Sequence, residues 1–297
     1  MIKTPLSTVI GGAGIWTPNT MIVGSTNQNL SYLIKSLFRN GEQGFAYNPN
    51  DLTTLYQDAA GTIPVTATGQ PVGLVLDKSK GLKLGAELFI ESDVSIAGQS
   101  SKLDGTRYRV YCPDGIESSG IRLMGKFIAG KWYLVEFTID SVAFAGEGIA
   151  AESTQNQLVH KTVGRKRVLV LATNANFYLK RIGVCDYTVS SISVKEIAGN
   201  HAYQTQSAMR PLLVANPQRL DYDTADDKLT TNLPTQLTGC TVIRSIPNVG
   251  TQILINQTIS TPYNDSTNHC GLIVINRVLT AAEISQITKL FNKAAGV

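Results

Sequence analysis

The strongest structural signal in this sequence is the stretch Trp132-Tyr133-Leu134-Val135-Glu136-Phe137-Thr138-Ile139. Every second side chain from Tyr133 to Ile139 is apolar, and Glu136 and Thr138 fall on the opposite face because successive strand residues alternate sides. This pattern indicates a half-buried strand of an antiparallel sheet, with one face on a core and the other toward solvent.

Similar short β-prone runs lie on both sides of this strand and are separated by turn residues. They are residues 108–111, 168–172, 177–182, 192–197, 219–222, 241–246 and 271–276. Charged residues make up only 16% of the chain, below the usual ~25%, and short polar residues take their place. Regular short strands between turns favour a sandwich or jelly roll over a parallel sheet with helices. We therefore predict an all-β fold.

The composition excludes several functional classes. The net charge of +4 is too small to predict a nucleic-acid partner. Hydrophobic residues make up 43% of the chain, enough for a core, which excludes global disorder. The mean hydropathy is +0.02, and no uncharged apolar run reaches the ~18 residues of a membrane helix. The N-terminus lacks the apolar core of a signal peptide, so we expect a soluble chain without membrane insertion or an export signal.

The four cysteines give no sign of a metal or disulfide framework. They are Cys112, Cys185, Cys240 and Cys270, and no two form a C-x-x-C pair. For so long a chain this spacing favours ordinary buried or half-buried thiols. His269 precedes Cys270, but adjacent strand residues point to opposite faces and do not share one site. No cofactor is expected.

An N-terminal helix is predicted from apolar residues at i, i+3, i+4, i+7 and i+8. The stripe consists of Leu30, Leu33, Ile34, Leu37 and Phe38. Ser25 and Thr26 are its N-cap candidates, and Asn40-Gly41 is its stop. The helix is too short to form a core, so its apolar face docks elsewhere. One alternative is packing on the chain's own sandwich; the other, which we adopt, is assembly docking of residues 1–45 on a neighbouring subunit.

A C-terminal helix is predicted more clearly. Thr280-Ala281-Ala282-Glu283 is a capping box, in which the Thr hydroxyl and the Glu carboxylate each satisfy a backbone N–H of the other residue. Its buried stripe consists of Ile284, Ile287, Leu290, Phe291 and Ala294. Gly296 ends the helix.

Several segments resemble recurring stretches of tailed-bacteriophage and prophage virion proteins. They are residues 41–52, residues 76–81, Gly199-Asn200-His201-Ala202-Tyr203-Gln204, Arg210-Pro211-Leu212-Leu213 and Leu220-Asp221-Tyr222-Asp223-Thr224-Ala225-Asp226-Asp227. Residues 277–284, which read Arg-Val-Leu-Thr-Ala-Ala-Glu-Ile, look like the terminal helix of concanavalin A-like (laminin-G-like) sandwiches.

The pieces that adjoin in those proteins are separated here by residues 82–198. This stretch resembles a carbohydrate-binding-module-type jelly roll in Leu84-Gly85-Ala86-Glu87-Leu88, in Gly130-Lys131-Trp132-Tyr133 and in residues 187–196. We therefore expect two antiparallel sandwich or jelly-roll domains, one inserted in the other, because insertion at an exposed turn costs little loop entropy. The boundaries are residues 46–81 plus 199–297 for the host and residues 82–198 for the insert.

The resemblance implies a non-enzymatic virion structural protein on the particle surface, made in the bacterial cytoplasm. Its partners would be other virion proteins, further copies of itself and a host-surface polysaccharide. The alternative is a purely structural head-decoration or tail/fibre protein that contacts only other virion proteins.

The sequence contains neither G-x-S-x-G, nor a phosphate-binding G-x-x-x-x-G-K-[ST], nor H-E-x-x-H. Glu136 and Asp140 share a strand face but lie roughly 13 Å apart at ~3.3 Å per residue, too wide for a glycosidase pair. The acidic cluster Asp221, Asp223, Asp226 and Asp227 leaves two alternatives open, a structural turn or a Ca²⁺ site.

Glycan binding is favoured over hydrolysis, because aromatic rings stack on sugars and polar side chains surround them. The glycan-binding candidates are Tyr108, Tyr111, Trp132, Tyr178, Arg109 and Arg181. The alternative for the aromatic members is a place in the core or in turns.

Overall fold

The computed structural model of the protein describes residues 29–116, 118–153 and 158–297. Strands make up 43% and helices 12% of the structure, in several antiparallel sheets and two α-helices. The all-β prediction is confirmed at this level. No helix within the described ranges is long and apolar enough to cross a membrane.

The described chain opens with a helix and three short strands. They are α1 Leu30–Leu37, β1 Gly44–Tyr47, β2 Leu55–Tyr56 and β3 Leu74–Val75. The side chain of Asn29 caps α1, because its Oδ1 accepts a hydrogen bond from the Tyr32 backbone N–H at 2.9 Å. The N-cap is therefore Asn29 rather than Ser25 or Thr26, which lie outside the described residues.

The middle of the chain consists of strands with connecting turns. They are β4 Leu84–Glu87, β5 Val94–Ala97, β6 Ser101–Lys102, β7 Tyr108–Cys112, β8 Gly120–Leu123, β9 Trp132–Phe144, β10 Ile149–Glu152, β11 Val159–His160, β12 Gly164–Leu171, β13 Phe177–Arg181 and β14 Cys185–Ile197. One sheet has the order β12-β9-β14-β7-β6, with β4 also paired to β14, and the other has the order β11-β10-β13-β8-β5. We call them the β9 sheet and the β13 sheet.

The last part of the chain adds eight strands and the second helix. They are β15 Ala202–Tyr203, β16 Leu212–Val214, β17 Arg219–Asp221, β18 Leu229–Thr231, β19 Leu237–Ile246, β20 Gly250–Ile259, β21 Tyr263–Asp265, β22 Gly271–Ile275 and α2 Ala281–Ala295. They complete sheets of order β1-β22-β19-β20 and β2-β3-β15-β18-β21 and the pair β16-β17. Three single-turn 3₁₀ helices also occur in the described chain, at Leu52–Thr54, Glu91–Asp93 and Ser207–Met209.

Strand pairing separates the described chain into two groups. Strands of residues 84–197 pair only with one another, and strands of residues 44–75 pair only with one another or with strands of residues 202–275. We call the first group the middle lobe and the rest of the described chain the terminal lobe. Each lobe has its own hydrophobic cluster, and each cluster draws side chains from more than one sheet.

The chain leaves and re-enters the terminal lobe at neighbouring strands. β3 pairs with β15, and Leu74 lies opposite Tyr203. On the other side of the junction Leu84 lies opposite Ile197, and the Ala198 N–H donates to the Lys83 carbonyl at 2.9 Å. The two ends of the middle lobe therefore pair as antiparallel strands.

A buried carboxylate fastens this junction. Asp77 is 0% exposed and accepts four hydrogen bonds of 2.8 Å, from the Ala46 and Asn200 backbone N–H groups and from the N–H and hydroxyl of Ser79. Its own N–H donates to His201 Nδ1 at 2.9 Å. These bonds join the outgoing chain, the returning chain and β1 at one point.

Both helices pack on one face of the β22–β19 sheet. The buried side chains of this cluster include Leu33, Ile34, Leu37, Phe38, Ile243, Ile273, Ile275, Ile287 and Phe291. Leu30 is half-buried against them. The assembly-docking assignment of these five side chains is therefore wrong, because the α1 stripe packs on the chain's own sheet, the other alternative. The remainder of the proposed docking segment, residues 1–28, lies outside the described residues.

The C-terminal helix matches its sequence signals. The Thr280–Glu283 capping box is present, Ile287 and Phe291 are buried, and Gly296 adopts the left-handed conformation at the C-cap. Glu283 also pairs with Arg277 at 2.7 Å. The Arg277 guanidinium and the capping-box hydrogen bonds lower the pKa of the Glu283 carboxyl to about 2.

The two lobes meet through a separate hydrophobic cluster. Its buried members are Leu74, Leu76, Trp132, Leu134, Leu169 and Ile197. Tyr133, Val135, Phe137 and Ile139 face the middle-lobe core as the alternation predicts. The opposite face of β9 was predicted to meet solvent. At the start of the strand, however, the terminal lobe covers Trp132 and Leu134 on this face.

Candidate functional site

On the outward face of the β13 sheet, an acidic, an aromatic and a basic side chain lie in one row across three strands. Tyr178 on β13 lies opposite Glu152 on β10 and opposite Arg122 on β8. Because directly opposed residues of antiparallel strands point to the same face, the three side chains are neighbours across three strands.

These side chains line an open groove of about 390 Å³. Its lining residues are Ser118, Arg122, Glu152, Ser153, Asn174, Tyr178 and Lys180. We call it the Tyr178 groove. All of its lining side chains other than the ring are polar or charged, which suits a hydroxylated ligand better than an apolar one.

Glu152 is the unusual member of the groove. It is 3% exposed, and its Oε1 forms an ion pair with the Lys180 ammonium. Its Oε2 is buried and has no hydrogen-bond partner among the described residues. Burial raises the pKa of the Glu152 carboxyl, against the opposing effect of Lys180. A buried acceptor without a donor is costly, so this oxygen favours a ligand that brings one.

Tyr178 and Arg122 form the accessible part of the row. The Arg122 guanidinium carbon lies 5.9 Å from the centre of the Tyr178 ring. Its Nη2 donates to the carbonyl and the hydroxyl of Ser118, at 3.2 and 3.1 Å. Tyr178 is half-buried, so one part of its ring faces the groove while the rest is held by neighbours.

One end of the groove is shaped by a fixed turn. Asn174 Nδ2 donates to the Ser153 carbonyl at 3.0 Å, and the Ser153 hydroxyl donates to the Asn174 carbonyl at 3.4 Å. The Asn176 N–H donates to Asn174 Oδ1 at 2.8 Å. Because these groups satisfy one another, this wall is preorganised before a ligand arrives.

The next row of the same face is lined with small residues around Lys180. Lys180 lies opposite Ala150 on β10 and Gly120 on β8, and Gly120 lies opposite Ala97. Gly120 has φ of +155°, and an added Cβ would lie 2.6 Å from the Leu179 carbonyl oxygen. Of these residues, Lys180 lines the groove, whereas Ala97 and Ala150 are buried.

Two of the predicted glycan-binding residues are buried, and their assignment is wrong. Tyr108 is 2% exposed and packs edge-on against Phe89 in the middle-lobe core. Trp132 is 3% exposed and lies between the lobes, 5.7 Å from the His201 ring and 5.6 Å from the Tyr203 ring. Neither ring face is open to a sugar.

The other four candidates do not meet at one place. Arg109 and Tyr111 lie together on the β9 sheet, with the guanidinium 4.0 Å from the ring centre. Arg109 is held by Asp186 through two bonds of 2.8 and 2.6 Å. Arg181 is at the end of β13, where its Nη2 donates to the Ile116 carbonyl at 2.9 Å. Of the six candidates, only Tyr178 lines the groove.

Sequence reasoning missed Arg122, Glu152 and Lys180. Each occupies the outward face of a short strand, in Gly120–Leu123, Ile149–Glu152 and Phe177–Arg181. Alternation alone would have assigned them to a solvent face. Their convergence depends on the pairing of three strands far apart in sequence, which no local pattern encodes.

The acidic cluster behaves as a turn. Carboxylate oxygens of Asp223, Asp226 and Asp227 lie within 4.8 Å of one another. However, Asp223 Oδ1 accepts the backbone N–H groups of Ala225, Asp226 and Asp227, at 2.9 to 3.3 Å. These bonds lower the pKa of Asp223. Asp221 bonds Arg219 and Asn268 instead.

The cysteines and His269 are core residues. All four cysteines are buried free thiols, and burial raises the pKa of Cys185 to about 11. His269 is 0% exposed, and its Nε2 lies 2.8 Å from Asp265 Oδ2, which also accepts the Tyr222 hydroxyl. This cluster is sealed inside the terminal lobe.

Comparison of the chain with protein-family models, curated proteins and solved structures finds no match.

Proposed function

We propose that the protein is a non-enzymatic glycan-binding protein and that the Tyr178 groove holds a surface polysaccharide. The observation that carries the proposal is the pairing of an accessible aromatic ring with a buried, unpartnered carboxylate oxygen in one polar groove.

The chemistry of sugars supports this assignment. A pyranose ring presents apolar C–H groups on its faces and hydroxyls around its rim, so it binds an aromatic ring flanked by donors and acceptors. Tyr178 supplies the ring, Glu152 Oε2 an acceptor, and Arg122 and Lys180 donors. The groove's length across three strands fits a chain better than a single sugar.

The groove favours binding without turnover. Glycoside hydrolysis uses two carboxyl groups on opposite sides of the scissile bond. Among the described residues that line the groove, Glu152 is the single acid, and Lys180 already holds one of its oxygens. We therefore infer that bound glycan leaves unchanged.

We also propose that the middle lobe is a jelly roll inserted in a concanavalin A-like host sandwich of a virion protein. The separate strand pairing of the two lobes and the adjacent β3 and β15 support insertion. The resemblance of the terminal-lobe segments to bacteriophage virion proteins supports a place on the particle surface.

One observation favours the purely structural alternative. β20 is an edge strand of its sheet, is ten residues long and contains no charged residue. Natural edge strands of this length usually carry charges or prolines that block pairing. Coverage of this edge by another virion protein or a further copy of the chain would explain their absence.

The test is binding of the full chain to a panel of immobilised bacterial surface polysaccharides. We expect at least one to bind and Tyr178→Ala to weaken it about tenfold, because an aromatic platform contributes about 1.5 kcal/mol. Tyr111→Ala is the matched control, since Tyr111 is also half-buried with an arginine over its ring, but on the other sheet.

If Tyr111→Ala loses binding while Tyr178→Ala binds normally, then the glycan site lies on the β9 sheet and the assignment of the Tyr178 groove is wrong. If the folded wild type binds none of the polysaccharides, the glycan-binding proposal is wrong and the purely structural alternative is favoured. Release of new reducing ends from the polysaccharide during incubation with the protein would show that the protein hydrolyses it and would contradict binding without turnover.

A further inference from the structure

The described side chains that line the Tyr178 groove carry one more positive charge than negative charge. Its described lining residues contain two cationic side chains, Arg122 and Lys180, and one anionic side chain, Glu152. Lys180 is paired with Glu152, so the charge of this pair is internally balanced. Arg122 is the remaining charge.

Arg122 is suited to an external anion. Its Nη2 contacts only neutral oxygens, the carbonyl and hydroxyl of Ser118. Within the described residues, no ion pair neutralises it. Arg109, Arg165, Arg219 and Arg277 each have a carboxylate partner. Arg167 and Arg210 resemble Arg122 in bonding neutral oxygens, but they do not line the groove. A guanidinium presents five N–H donors in a planar fork that matches the two oxygens of a carboxylate.

The position of Arg122 relative to the ring defines where the anion lies. The guanidinium is 5.9 Å from the Tyr178 ring centre, about the width of one sugar ring. A carboxylate on the stacked sugar or on its neighbour therefore reaches Arg122. On the other side of the ring, a sugar hydroxyl reaches Glu152, which faces Tyr178 from β10.

From this arrangement we propose that the ligand of the Tyr178 groove is an acidic polysaccharide, with a uronic-acid carboxylate bound by Arg122 and a neutral hydroxyl donated to Glu152 Oε2. This inference rests on the proposed glycan-binding function and adds the chemical class of the ligand.

The experiment compares uronic-acid-containing polysaccharides with their carboxyl-reduced forms, which keep the sugar backbone and lose the charge. Isothermal titration calorimetry uses the full chain and oligosaccharides prepared from each pair, with sulfated oligosaccharides as a third arm. We expect the acidic form of at least one pair to bind about tenfold more tightly than its reduced form, as charge-assisted hydrogen bonds do. Raising the salt concentration should narrow this difference.

Variants assign the effect to one side chain. Arg122→Gln should bring acidic and reduced forms to equal affinity, and Arg122→Lys should keep part of the difference because it keeps the charge without the planar fork. Arg165→Gln is the control, since Arg165 lies on the other sheet with a side chain that is 73% exposed. Melting temperatures of all variants verify folding.

The outcomes separate the two proposals. Equal affinity of the wild type for acidic and reduced forms would overturn the acidic-ligand inference and leave glycan binding intact. A preference that survives in Arg122→Gln, or a preference for sulfated over carboxylated oligosaccharides, would also overturn it. Failure of every form to bind would contradict the proposed function itself.

Discussion

Two buried carboxylates, Asp77 at the junction of the lobes and Glu152 in the Tyr178 groove, differ in how their oxygens are satisfied. Asp77 is 0% exposed and accepts four hydrogen bonds from within the chain. Glu152 is 3% exposed, has one lysine partner and keeps an oxygen without a donor in the described structure. Burial alone therefore does not distinguish a structural acid from a functional one.

The difference lies in the completeness of the hydrogen bonding. At the junction every donor comes from a segment that must be held in place, so the carboxylate is used by the fold. In the groove the fold leaves a buried acceptor, Glu152 Oε2, without a donor among the described residues. Removal of Asp77 should therefore lower the stability of the fold, whereas removal of Glu152 should mainly lower ligand affinity.

The largest effect is expected for Asp77→Ala. It removes the shared acceptor of the Ala46, Ser79 and Asn200 backbone N–H groups. Buried donors without partners cost about 1–3 kcal/mol each, so we expect the free energy of unfolding to fall by about 3–5 kcal/mol. Urea denaturation followed by far-UV circular dichroism measures it. A loss below about 1 kcal/mol would show that the junction does not depend on this carboxylate.

The second prediction concerns pH. Burial raises the pKa of Asp77 from its usual 3.8 to about 6, despite the four hydrogen bonds. Between these values the folded chain holds a proton that the unfolded chain has lost, so Asp77 makes stability fall as the pH rises from about 4 to about 6. The wild type should therefore lose about 3 kcal/mol relative to Asp77→Asn across this window.

The comparison with Asp77→Asn isolates this effect from other titrations. Burial lowers the pKa of His201 to about 3, so His201 makes stability fall as the pH drops below about 6.5 in both proteins. Its contribution cancels in the difference. A difference between the two proteins that stays constant from pH 4 to pH 7 would disprove the raised pKa of Asp77.

The smallest effect on stability is expected for Glu152→Gln. The substitution removes the costly buried charge as well as the Lys180 ion pair, and such opposing changes leave the free energy of unfolding within about 1 kcal/mol. Glycan affinity should nevertheless fall, because the acceptor at Oε2 becomes weaker or is replaced by an amide. If this variant loses as much stability as Asp77→Ala, then Glu152 is a structural acid like Asp77, and the proposed difference between the two carboxylates is wrong.

Local sequence patterns predicted the elements well where the pattern and the environment lie in the same segment. The alternation at residues 133–139 and the capping box at Thr280–Glu283 are examples, since backbone geometry and nearby side chains determine both. Trp132 failed because the face of β9 on which it lies is covered by the other lobe. The helix predicted from the α1 stripe is present, but its docking assignment is wrong, since most of the side chains that cover it come from β19, β22 and α2, more than 200 positions away.

The Tyr178 groove could not be predicted from local sequence patterns for a related reason. Tyr178 was identified from its residue type, but its partners Glu152 and Arg122 are assigned only by strand register. Register depends on the pairing of β8, β10 and β13, whose order in the sheet differs from their order in the chain.

The most direct test of the central claim is amide hydrogen exchange of the full chain with and without the tightest-binding polysaccharide of the panel. We predict that protection increases in residues 118–123, 149–153 and 174–181, and that residues 108–112 and 185–188 of the β9 sheet stay unchanged. Protection confined to the β9 sheet or the terminal lobe, or no change at saturating polysaccharide, would contradict the assignment of the Tyr178 groove as the binding site.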